Sequence, residues 1–200
     1  MQHPHVRYLF RTLSRVGRVC PIGASQRGFT AIELMVVIAI VAVLASLAAP
    51  SFTSTIERWR VRQAAEELQS SIYYARSEAI KRGGNVTMRK HPQGTDGCQE
   101  AGTTQEWGCG WFIFVDSNND GTRQTSEELL QTIPPPNRLN IMRKPTGNFL
   151  RFDRYGMTGG NMLSFTLSPA GPGVTSPATR TLCMSSGGRI RIREGEVICD

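Results

Sequence analysis

The sequence predicts an α+β protein: a long N-terminal helix, apolar in its first half and amphipathic in its second, packed on an antiparallel β-sheet head. Three observations predict it. Residues 34–49 (LMVVIAIVAVLASLAA) carry a single polar side chain, Ser46. Residues 61–79 repeat apolar positions in steps of four and three. After Gly84 the pattern changes to alternation broken by Gly, Pro and Asn turns, which is the signal of strands. Four segments follow: a basic arm (1–28), an apolar helix (29–50), an amphipathic helix (51–84) and a β-sheet head (85–200).

The arm holds five arginines (Arg7, Arg11, Arg15, Arg18, Arg27) and no acid. Without them the formal charge of +7 falls to +2, so most of the basic excess is local to the arm. His3 and His5 also lie there, which leaves His91 as the one histidine of the rest. The run Phe29–Ala49 makes about 31 Å of helix at about 1.5 Å per residue, a match to a hydrocarbon core of about 30 Å. The competing reading is a buried core helix, but little in the remaining chain could surround it on every side. A basic arm before an apolar run places residues 1–28 in the cytoplasm and the rest outside. Ala48-Ala49-Pro50 is a poor secretory cleavage site. Pro50 lacks an N–H donor and is expected to kink or locally melt the helix.

Beyond Pro50, Val61, Ala65, Leu68, Ile72, Ala75 and Ala79 form one apolar stripe, expected to be the bed for a sheet. Gly83-Gly84 ends the helix. Candidate strands are 85–90, 111–115, 128–133, 138–143, 148–153, 162–168, 179–184 and 189–198, and residues 169–178 are a loop. The five cysteines divide into Cys20 in the arm and Cys98, Cys109, Cys183 and Cys199 in the head. Four cysteines allow three connectivities. Pairing of neighbours, Cys98 with Cys109 and Cys183 with Cys199, closes the shortest loops and is preferred. Bridges of this kind suit a periplasm. Zinc would need tighter Cys pairs than the head contains.

The junction Arg27-Gly28-Phe29-Thr30-Ala31-Ile32-Glu33-Leu34, followed by the apolar run and Pro50, resembles the class III signal of type IV prepilins and type II secretion pseudopilins. The resemblance implies a leader cut after Gly28 by a membrane-embedded prepilin peptidase, N-methylation of Phe29, and a type IV pilin-like fold. It also gives Glu33 a role. A carboxylate in an apolar helix costs several kcal/mol (about 3 or more) unless paired or protonated. The cut frees an α-amino cation at Phe29, which Glu33 of a staggered neighbour could neutralise. The competing reading is an interfacial acid that snorkels to headgroups.

In the head, Gly110-Trp111-Phe112-Ile113-Phe114-Val115-Asp116 and the Asn-rich turn after it resemble the H-type minor pseudopilins of type II secretion and the FimT/FimU minor pilins. So do Arg151–Gly156 and Cys183 before Gly187-Gly188-Arg189. The resemblance implies a low-abundance subunit that primes or caps a type IV pilus or a type II secretion pseudopilus. Its partners would be other pilins and the inner-membrane assembly platform. It would be single-pass in the bacterial inner membrane, with the head in the periplasm.

Two motifs could bind ligands. Asp116, Asn118, Asp120, Gly121 and Glu127 fit the calcium-loop spacing D-x-N-x-D-G-x₅-E. A strand precedes them where an EF-hand has a helix, and the competing reading is a polar turn. Residues 94–133 hold seven acids and one base, and residues 138–193 nine bases and one acid, so one end of the head can attract a polyanion. Gly188-Arg189-Ile190-Arg191-Ile192-Arg193 is expected to turn both isoleucines inward and line three arginines outside, about 6.6–6.8 Å apart. Guanidinium binds phosphate oxygens well, and the Gly-Arg-x-Arg pattern resembles the stretch through which FimT-type pilins take up DNA. The competing reading is an edge strand blunted by charge. No Gly-x-Ser-x-Gly elbow, phosphate loop or spaced Cys/His set occurs, and no catalytic role or cofactor other than Ca²⁺ is expected.

Overall fold

A computed structural model describes residues 28–160 and 162–199, with only the backbone of 47–51. The basic arm, with Cys20, His3, His5 and its five arginines, lies outside the described residues. The chain forms two compact units, residues 1–44 and 45–200.

Helix α1 spans Ala31–Arg82. Thr30 caps its start: the Glu33 N–H donates to Thr30 Oγ1 at 3.2 Å, the hydroxyl-to-N3 bond of an N-cap. The helix runs through Pro50 without interruption. Of the two outcomes expected there, kink or local melting, the helix does not melt: proline forfeits one i−4 hydrogen bond, and the turns on either side remain helical. In the second unit every residue of the predicted stripe is buried, from Val61 to Ala79. Gly83 and Gly84 adopt positive φ, and the Gly84 N–H donates to the Ala79 carbonyl at 2.7 Å. That closure across six residues is a Schellman stop, which favours glycine.

Eight strands follow: β1 (Val86–Lys90), β2 (Trp111–Val115), β3 (Leu129–Ile133), β4 (Leu139–Lys144), β5 (Phe149–Phe152), β6 (Leu163–Pro169), β7 (Arg180–Met184) and β8 (Ile190–Glu194). They divide between two antiparallel four-stranded sheets, ordered β3-β2-β1-β5 and β4-β6-β7-β8, rather than forming one. Pro134-Pro135-Pro136 explains the division. Three residues without N–H donors cannot form a hairpin ladder, so β4 leaves β3 and pairs with β6, while β5 returns to β1.

Both sheets contribute to one core under α1. Met88, Ile113 and Phe152 come from the first sheet, and Ile141, Phe165 and Leu182 from the second. β8 is the edge of the second sheet, and its register sets the faces. Leu182 opposes Ile192 and Met184 opposes Ile190 on the core side, while Thr181 opposes Arg193 and Cys183 opposes Arg191 on the outer side.

Candidate functional site

Gly28, Phe29 and Thr30 precede the helix in irregular backbone. A side chain at Gly28 would meet nothing within 4 Å, and Phe29 is 82% exposed. Ile32, Leu34, Met35, Ile38, Val41 and Leu44 are each more than half exposed. A continuous apolar surface of this kind marks an interaction site. Glu33 sits in the first helical turn, where a carboxylate is favoured by the unpaired N–H groups. Among the described residues no helix is long and apolar enough to cross a membrane. The run expected to do so, Phe29–Ala49, extends into residues whose side chains are not described.

The arginine strand sits on a rigid support. Ser185 closes the β7–β8 turn by donating its N–H to the Arg189 carbonyl at 2.9 Å and accepting the Arg189 N–H on its hydroxyl at 3.1 Å. Arg76 of α1 donates from its guanidinium to the carbonyls of both Gly156 and Gly188. On the outer face the chain after β8 folds back. Thr181 donates to the Gly195 carbonyl at 2.7 Å, and a Cys183–Cys199 disulfide with 5.6 Å between Cα atoms pins the tail. Arg189 lies in the turn just before β8, and Arg189, Arg191 and Arg193 are all exposed.

One expectation is corrected here. Ile190 is buried at 9% exposure, but Ile192 is 38% exposed. An edge strand has a sheet neighbour on one side only, so the core closes over Ile190 and thins before Ile192, which borders an open groove with Arg62 and Glu66.

The charged side chains of the head differ in how they are engaged. The acids are largely occupied. Glu128 accepts from Arg82 at 2.7 Å, Asp120 from the Thr122 N–H at 2.6 Å, and Glu106 from the Thr103 N–H at 2.8 Å. Among the basic residues, Lys144, Arg151 and Arg180 pair with Glu196, Asp116 and Glu194. Among the described residues Arg138, Arg154, Arg189, Arg191 and Arg193 join no ion pair.

The calcium spacing resolves differently. Asp116 is fully buried at the end of β2, and its Oδ2 accepts from Thr87 Oγ1 at 2.7 Å and the Gly121 N–H at 3.0 Å. Its Oδ1 is buried without a hydrogen bond, and the nearby cation is Arg151, whose Nε lies 3.8 Å from Oδ2. Glu127 accepts the N–H groups of Ser117 and Gln124, at 2.8 and 2.9 Å. Asn118 donates to Asp120. The hydrogen bonds these carboxylates accept come from the loop and from Thr87 of β1, and among the described residues no three His, Cys, Asp or Glu side chains gather as a metal site. In the D-x-N-x-D-G-x₅-E stretch these contacts make a hydrogen-bonded loop.

Several residues that organise these surfaces carry no sequence signal of that role. Lys90, though charged, is buried in β1 and donates from Nζ to the carbonyls of Ala101, Thr103 and Glu106. Burial pushes its pKa down. It holds the segment that the Cys98–Cys109 disulfide closes, with 5.5 Å between Cα atoms. Arg143 is buried beside the Trp107 ring, and its pKa is pushed down to about 10 by burial.

Comparison with known proteins places these features. Residues 64–188 match the family model described as type II transport protein GspH, and residues 23–49 match a prokaryotic N-terminal methylation motif. A fimbrial protein of Pseudomonas aeruginosa is 35% identical over 102 residues, 49% of this chain and 64% of that protein's length. The pilin-like protein PilA1 of Thermus thermophilus is 30% identical over 173 residues, 84% of this chain and 91% of that protein. The crystal structure of the type IV minor pilin FimU of Pseudomonas aeruginosa superposes with a TM-score of 0.50 at 22% identity, over 68% of this chain and 90% of that one, a likeness of fold.

Proposed function

The chain belongs to the GspH family and is a type IV minor pilin or pseudopilin, and from that premise we propose that its apolar stem anchors the precursor in the inner membrane and then builds it into a periplasmic filament as a priming or capping subunit. A prepilin peptidase cuts after Gly28, Phe29 becomes the N-methylated first residue, and the assembly platform and neighbouring pilins receive the stem. The observation that carries this reading is the exposed apolar helix face with Glu33 as its one carboxylate, five residues past the cut. Parallel stems in a filament bury that face, and Glu33 pairs with the amine that the cut creates. Co-purification of epitope-tagged chain with its sister pilins, with N-terminal sequencing, tests it. Glu33→Ala is expected to be processed at Gly28 yet to be missing from filaments; normal incorporation of that variant, or a mature start other than Phe29, contradicts the reading.

A second reading adds to the first. The exposed, ion-pair-free Arg189, Arg191 and Arg193 beside Gly188 support contact with DNA at the filament end, as in uptake for natural transformation. Neutralising two phosphate contacts should lower the slope of log affinity against log salt by about 1.8 on duplex DNA. Arg191→Gln with Arg193→Gln in the full chain measures this, and an unchanged slope removes the reading.

A further inference from the structure

The Arg76 guanidinium does more than pin the β7–β8 turn. Its Nε donates to the Gly156 carbonyl at 2.8 Å while another nitrogen donates to Gly188. Two turns distant in sequence, 153–156 after β5 and 185–189 before β8, are thus held one guanidinium apart. Both are rigid. In the first, Asp153 Oδ1 accepts the N–H groups of Tyr155 and Met157, each at 2.9 Å, and the Asp153 N–H returns to the Met157 carbonyl at 2.9 Å. Gly156 has a φ of +70° and packs on Ile80, and Gly188 has a φ of +78° with no room for a Cβ beside Arg76. What the first turn presents to solvent is Arg154, without an ion pair, and Tyr155, 69% exposed. The turn's carboxylate, Asp153, is directed onto backbone N–H groups.

An exposed phenol ring on one turn, with guanidiniums that join no ion pair among the described residues on the same and the adjoining turn, suits single-stranded nucleic acid: the ring can stack on a base while the cations take neighbouring phosphates. A duplex buries its base faces and offers the ring nothing to stack on. We propose that the two turns bridged by Arg76 form a single-strand platform, with a base on Tyr155 and phosphates on Arg154 and Arg189. The proposal rests on the DNA reading above and extends it from the β8 arginines to a second element and to an unpaired strand.

Full-length protein in detergent micelles, titrated into fluorescent oligothymidylate and into a duplex of equal length, tests it by anisotropy. Tyr155→Ala is expected to weaken oligothymidylate binding roughly tenfold and to leave duplex binding unchanged, and Tyr155→Phe, which keeps the ring face, to restore it. If Tyr155→Ala binds oligothymidylate normally while Arg191→Gln with Arg193→Gln does not, the platform is wrong and the DNA reading stands. Should the unaltered chain bind neither nucleic acid, both fall. If polyglutamate displaces oligothymidylate and its own binding depends equally on Tyr155, the surface takes an acidic protein segment and the proposal is overturned.

Discussion

Thr87 Oγ1 donates to Asp116 Oδ2 at 2.7 Å between adjacent strands, both residues fully buried. The same oxygen accepts the Gly121 N–H, so one carboxylate joins β1, the end of β2 and the loop beyond it. Hydrogen bonds to a charged group contribute about 1.5–3 kcal/mol each, and removing the acceptor strands its donors. Asp116→Ala should therefore lower unfolding free energy by about 2–4 kcal/mol, and Thr87→Val, which removes one bond at constant shape, by about 1–2 kcal/mol. Because the loop's carboxylates serve its own N–H groups, adding or chelating Ca²⁺ should leave the melting midpoint unmoved. Denaturant titration with and without chelator measures all three.

The same loop shows what the sequence could and could not reveal. Spacing alone cannot tell a carboxylate aimed at a cation from one aimed at a backbone N–H, because both use oxygens at alternate positions. The stripe from Val61 to Ala79 was readable because burial of one helix face imposes its period directly, and the alternation of strands likewise. Division into two sheets depended on pairings between distant segments, and only the Pro134–Pro136 run hinted at it. Ile192 alternates correctly yet is half-exposed, since alternation fixes a face and not whether the core reaches that far. Arg76 and Lys90 carry no sequence signal of the contacts they make. Their acceptors are carbonyls of remote loops, which have no side-chain signature.

Gly188 is a sensitive test of the Arg76 contact. A Cβ there would lie 2.5 Å from the guanidinium carbon, and the residue sits at positive φ, whereas a Cβ at Gly187 would meet only Ser185 Oγ at 4.0 Å. The left-handed conformation alone costs a non-glycine residue about 1–2 kcal/mol. Gly188→Ala should destabilise the chain by about 2–3 kcal/mol once displacement of Arg76 is included, and Gly187→Ala by under about 1 kcal/mol. Comparison of the two midpoints separates a local clash from a general intolerance of the turn.

Lys90 makes the 91–108 segment part of the fold. Its ammonium satisfies three carbonyls of that segment, so Lys90→Met, close in volume, should cost about 2–4 kcal/mol. The Cys98–Cys109 bridge stays intact in that variant, so its loop should become cleavable by protease while the disulfide holds the fragments together. A nicked product that separates only on reduction is the expected pattern on a gel. An uncut Lys90→Met chain would show that the bridge alone orders the segment.

His91 supplies a pH dependence of known sign. Burial lowers its pKa below the usual 6.5, with Asp96 opposing in part. The ring packs on Phe112 at 5.0 Å, and Nε2 lies 3.1 Å from Thr132 Oγ1. The folded state therefore prefers neutral imidazole. Between the lowered pKa and 6.5 the unfolded chain binds the proton that the folded chain refuses, so stability rises with pH across that window and is flat above it. The carboxylates Glu78 and Asp120 are shifted down by their hydrogen-bond partners. They lose stability only at still lower pH, as the medium falls below their ordinary values of 4.5 and 3.8. Melting midpoints should fall on acidification in two contributions, one setting in below 6.5 and the other below 4.5. His91→Gln should abolish the upper one and leave the lower. A variant that retained the upper loss would assign it to another group, either His3 or His5 of the basic arm or a carboxylate raised far above its ordinary range.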